Sequence, residues 1–142
     1  MPSPSPSPPQ IFDRARIAAR RERAARTFAD YDFLRQRVAG DIESRLDDTS
    51  RRFERGLELG SAGGALSARL VASGKVAAMV AADTAPAFLS AAAARGLPAA
   101  FADEEQLPFE PASFDLVVAP LALHWVNDLP GTLAQVRRIL KP

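Results

Sequence analysis

The sequence has no cysteine and a single histidine. The first absence removes disulfides, thiolate metal sites and cysteine nucleophiles. The second rules out a multi-histidine metal centre, so no metal ligand set is expected. Aromatics are sparse, with one tryptophan and one tyrosine. No apolar run approaches the roughly 18 residues that cross a bilayer, so no membrane span is expected. The N-terminal residues lack the apolar stretch of a secretory signal. Neither sign of charge dominates: 18 basic residues face 17 acidic ones, a formal net charge of +1. Whole-chain electrostatics therefore gives no nucleic-acid signal.

What is present divides into three segments. Residues 1–10 alternate Pro and Ser and read as a disordered tail. Residues 11–50 read as a helical cap. Ile11 to Phe28 is rich in Ala and Arg and favours helix, and Arg14, Arg16, Arg20, Arg21, Arg23 and Arg26 read as a solvated face. Leu34, Val38, Ile42 and Leu46 recur at i+4 and predict an amphipathic helix ending near Asp47-Asp48. An Arg-rich start also suits an organellar transit peptide, but Asp13 and Glu22 interrupt it. The expected compartment is the cytoplasm, with the mitochondrial matrix as the alternative.

From residue 51 to 142 the period changes. Short apolar runs at 56–60, 76–82, 97–102 and 114–119 alternate with helical stretches. Val76–Ala82 is continuously apolar, as in a strand buried on both faces. Thr84 is expected to cap the next helix, with Pro86 in its first turn. Strand–helix alternation predicts an α/β sheet of about four parallel strands with right-handed crossovers.

The centre of this plan is Leu57 to Gly64, where a strand runs into a turn of small residues and a helix follows. Glycine permits tight turns without a Cβ clash, and the next helix offers free N–H groups to an anionic ligand group. This reads as the nucleotide-facing turn of a Rossmann-like half-domain. Ligands of open parallel sheets bind beyond the carboxyl ends of the strands. Three such ends carry an acid here: Glu58, Asp83 and Asp103. Asp83 follows Gly64 at about the spacing of a carboxylate that binds ribose hydroxyls. The dinucleotide glycine pattern keeps only its first glycine, Gly60, which disfavours a nicotinamide-dependent oxidoreductase.

The turn 58–64, Asp83, the stretch Ala102 to Phe109 and Phe114 to Val118 together resemble class I S-adenosylmethionine-dependent methyltransferases. Leu123 to Pro130 and Ile139 to Pro142 narrow the resemblance to the complex I assembly-factor group, which is related to biotin-pathway methyltransferases. The resemblance covers about residues 28–142 and departs at Ala62, where many relatives carry glycine. It implies a Rossmann-like methyltransferase fold of which this chain holds the N-terminal half. It also implies an S-adenosylmethionine site in which Gly60 and Gly64 approach the methionine part, Asp83 the ribose, and Asp103 and Glu104 the adenine, with Glu58 and Thr84 completing the set. The implied activity is methyl transfer to an unidentified acceptor. The alternative is assembly of complex I, through arginine hydroxylation of a subunit or without chemistry. His124 either serves as a general base or packs in its loop. If the sheet ends at the fourth strand, that edge is expected to self-associate.

Overall fold

The computed structural model describes residues 6–142; the first five residues of the expected tail lie outside the described residues. Helix α1 spans Arg14–Ala24, the short α2 Phe28–Tyr31, and α3 Phe33–Asp47. Strands β1 (Phe53–Glu58), β2 (Val76–Asp83), β3 (Ala99–Phe101) and β4 (Leu116–Val118) alternate with α4 (Ala65–Ala72) and α5 (Pro86–Ala94), and α6 spans Leu129–Ile139. All strand pairs are parallel, in the order β3-β2-β1-β4. The α/β expectation of four parallel strands holds, while the N-terminal cap folds as three helices rather than two.

The sheet separates two apolar layers. Adjacent residues of β2 take opposite faces: Met79 and Ala81 pack with Ala39, Leu66, Leu70 and Leu97, whereas Val80 and Ala82 pack with Leu57, Leu59, Phe114 and Ile139. This is the period of a strand buried on both sides. Leu57, Val76 and Phe114 have no exposed surface, and at about 25 cal/mol per Å² such side chains dominate the folding drive.

Two local expectations are corrected. The core face of α3 carries Arg35, Ala39, Ile42 and Leu46, while Leu34 is 53% exposed. An i+4 series drifts by about 40° per step against a 3.6-residue turn, so its first member rotates away. Thr84 is not the cap of α5: Ala85 holds that position without a side-chain bond. Instead, Asp83 accepts from the Ala85 N–H, and Glu22 of α1 accepts from the Ala87 N–H at 2.9 Å.

The outer edge of β4 is closed at its start. Phe114 donates to the Ile139 carbonyl and accepts from the Lys141 N–H, so the exit from α6 runs parallel beside it. Over Leu116–Val118 the only paired strand among the described residues is β1.

Candidate functional site

The parallel arrangement brings the carboxyl ends of β1, β2 and β3 to one side, and the turn after β1 lies among them. Gly60, Gly63 and Gly64 have φ of 57°, 95° and 76°, and Ala62 also has a positive φ, 48°. A left-handed conformation costs an L-residue roughly 1–2 kcal/mol, so Ala62 carries strain that glycine would not. A Cβ on Gly60 would stand 2.9 Å from the Ala122 Cβ and 3.3 Å from Glu104 Oε1. One on Gly64 would meet Leu97 Cδ1 at 2.7 Å, so Gly64 packs α4 against the sheet. The Ser61 hydroxyl is fully buried and has no hydrogen-bond partner among the described residues.

Glu58 lies wholly buried beneath this turn. One oxygen accepts from the backbone N–H and hydroxyl of Ser67 in α4, and the other from Arg35 of α3 at 2.8 Å. Arg35 also donates to the Pro120 carbonyl. Burial lifts the Glu58 carboxyl above the usual carboxylate range against the pull of Arg35 and Ser67, and burial likewise lowers Arg35. Glu58 thus caps the helix after the turn and fixes α3 to it.

Asp83 is 1% exposed at the end of β2. Its Oδ2 accepts from the Ala62 N–H, its Oδ1 from the Ala85 N–H, and both oxygens also accept from the Arg21 guanidinium of α1. Beyond β3, Asp103 accepts from Arg14 of α1 at 2.8 Å, and the buried Glu104 binds the same guanidinium. Burial opposes the Arg14 charge, but Asp103 and Glu104 outweigh it and raise its pKa. Arg14 and Arg21 therefore correct the expectation of a wholly solvated basic face; Arg16, Arg20, Arg23 and Arg26 remain exposed.

Arg21 also lies between two cavities. One of about 300 Å³ is bounded by Arg14, Ala18, Thr84, Phe101, Asp103 and Glu104. The other, about 320 Å³, is bounded by Tyr31, Arg35, Ala62, Leu121, His124 and Trp125. His124 is exposed in the 3₁₀ turn Leu123–Trp125, its ring 4.9 Å from that of Trp125. The structure thus gathers Thr84, Asp103 and Glu104 around one cavity, buries Asp83 behind Arg21 and Gly60 beneath Ala122 and Glu104, and sets His124 in the second cavity.

A model of the methyltransferase domain matches residues 57–142. The chain belongs to the methyltransferase domain family. It is 38% identical over 144 residues to the human protein named arginine-hydroxylase NDUFAF5, mitochondrial, covering 99% of this chain and 41% of that one. It is 32% identical to the malonyl-[acyl-carrier protein] O-methyltransferase of a Methylovorus strain, covering 93% and 48%. The chain therefore spans about half the length of these relatives. A Methanococcus maripaludis structure assigned as an S-adenosyl-L-methionine-dependent methyltransferase superposes with a TM-score of 0.73 at 19% identity, covering 84% of this chain and 59% of that one. At that identity the likeness shows the fold alone.

The donor set of this methyltransferase domain fits an adenosyl cofactor. The turn leaves no room for a side chain at Gly60, where Glu104 comes close to the backbone, and the buried Asp83 carboxylate already holds two donors side by side, as a vicinal diol would present them. Sequence reasoning missed four residues of the site. Arg14, Arg21 and Arg35 occupy the carboxylates, and Glu105 accepts from the N–H groups of Asn127 and Asp128 while facing Arg14. The available signal for Arg35 is a charge on the same helical stripe as Ala39 and Ile42.

Proposed function

We propose that this chain binds S-adenosylmethionine along the carboxyl edge of its sheet, in the service of methyl transfer to an unidentified acceptor. The observation that carries this reading is that Asp83, bonded to the left-handed turn at Ala62, reaches through Arg21 to the cavity lined by Thr84, Asp103 and Glu104. The family match and the methyltransferases among the relatives support it. A bound sulfonium supplies a methyl group to the acceptor's lone pair, while the sulphur retains the electrons of the broken bond and the acceptor loses its proton. The chain supplies alignment, which is most of the catalysis such a step needs. Asp83 takes the ribose hydroxyls, Thr84, Asp103 and Glu104 border the nucleoside, and the Gly60 turn admits the methionine part. Under this reading His124, which lines the second cavity with Trp125, takes the proton. Calorimetric titration tests the reading: S-adenosylmethionine binds and NADH does not. The reverse preference would replace it with the oxidoreductase reading.

A second reading rests on the arginine-hydroxylase relative matched over nearly the whole chain. Under it the protein serves complex I assembly in the mitochondrial matrix; under the first it works in the cytoplasm. Mass spectrometry of the complex I subunits in a deletion strain separates the two, by loss of an oxygen mass, a methylene mass or neither. The open edge of β4 over Leu116–Val118 supports self-association, which sedimentation over a concentration series detects as rising mass.

A further inference from the structure

We propose that α1 is an electrostatic latch over the nucleoside site, with Arg21 competing for the carboxylate that a ribose would use. The inference rests on the cofactor reading above and adds how access to that site is controlled.

The argument begins with acceptor capacity. An ionised carboxylate offers about four lone-pair positions. Asp83 uses them on the Ala62 N–H, the Ala85 N–H, and the Nε and Nη2 of Arg21. The two backbone donors belong to the turn and to the entry of α5 and stay with the fold. Only Arg21 can leave, so a diol reaches Asp83 by replacing it. Arg21 also walls both cavities, so its departure joins the space beside Asp103 to the space beside Ala62 and His124.

Next comes what holds α1 in place. None of its residues is buried. Its fastenings are polar: Arg14 to Asp103 and Glu104, Arg21 to Asp83, and Glu22 to the Ala87 N–H. Arg21 also stacks on Phe88, its guanidinium carbon 5.3 Å from the ring centroid. Ahead of the helix, Asn127 Oδ1 accepts from the N–H groups of Ile11 and Phe12, and the Phe12 ring meets Trp125 edge-on. That anchor keeps α1 tethered when its arginines let go. Held at both ends, by Asn127 ahead of it and by Ala25 and Phe28 packed against the Phe88 cluster behind it, α1 opens between these anchors without disturbing the core.

The test is hydrogen exchange of the α1 amides together with calorimetric binding of S-adenosylhomocysteine, for the parent chain, Arg21→Ala and Arg14→Gln. Apparent affinity falls by the fraction of molecules that are binding-competent. With α1 open about one-tenth of the time in the parent, Arg21→Ala binds about tenfold more tightly and its α1 amides exchange correspondingly faster. Arg14→Gln gives a smaller gain of the same sign, and it leaves the Asp83 pair intact in case the first variant folds poorly. Weaker binding by Arg21→Ala would make Arg21 part of the cradle and overturn the latch, as would unchanged exchange and unchanged affinity. Faster α1 exchange with binding by neither parent nor variants would overturn the cofactor reading, and this inference with it.

Discussion

The two long helices ahead of the sheet are fastened by different physics. Helix α3 has an apolar footing: Ala39 is buried in the core, Ile42 and Leu46 pack against it, and its Arg35 pairs with the buried Glu58 beneath the glycine turn. Helix α1 has no fully buried residue and is held mainly by part-exposed arginines, one of them reaching the buried Asp83. Both are arginine-bearing helical stretches in the sequence, yet one belongs to the core and the other rests on the site. A helix pinned through a buried ion pair moves only at great cost, whereas one held by part-exposed arginines can be exchanged for a ligand.

The largest effect that sharpens this contrast is expected from Arg35→Ala. It leaves Glu58 buried with Ser67 alone and should cost about 3–5 kcal/mol, the range for breaking a buried pair from one side. Urea denaturation measures it, and a loss below about 3 kcal/mol would put α3 in the same class as α1. Arg14→Ala leaves the largely buried Glu104 and the partly exposed Asp103 without that partner and should cost less, about 1.5–3 kcal/mol, in the same assay.

The smallest effect lies outside both helices and concerns pH. Burial would lift the Asp115 carboxyl, but hydrogen bonds from the Glu54 and Arg55 N–H groups prevail and hold it below the ordinary range. A depressed folded pKa gives stability that is fully present above the unfolded value and lost as pH falls through the folded one. Melting curves of the parent should therefore fall towards those of Asp115→Asn below about pH 4, with the gap restored above it. A gap that widens on acidification would reverse the sign.

The sheet and the acids at its edge are legible in the sequence because their signals are local. A doubly buried parallel strand must be a continuous apolar run, as Val76–Ala82 is, and strand ends are marked by the first charge after it, as at Asp83. The occupants of those acids are not legible. Arg21 reaches Asp83 across 62 positions, and Arg14 reaches Glu104 across 90. Nothing in the spacing of a basic helix says which arginines meet water and which meet a carboxylate. The same holds for Gly64: its place in the turn after β1 suggests a ligand contact, whereas its Cα faces Leu97 inside the packing of α4. The placement of β4 beside β1 matches the expected order, but the bonds closing the start of its outer edge come from the exit of α6, which no strand pattern announces.

The central claim is that Asp83 is the ribose acceptor of an S-adenosylmethionine site, and it is tested most directly by changing the ligand rather than the fold. Calorimetric titration of the parent chain should compare S-adenosylhomocysteine with its analogue lacking both ribose hydroxyls. The account predicts a loss of about 1.5–3 kcal/mol for the analogue, the range for hydrogen bonds to a charged group, and loss of that discrimination in Asp83→Asn. Equal affinity of the parent for the two ligands would contradict it.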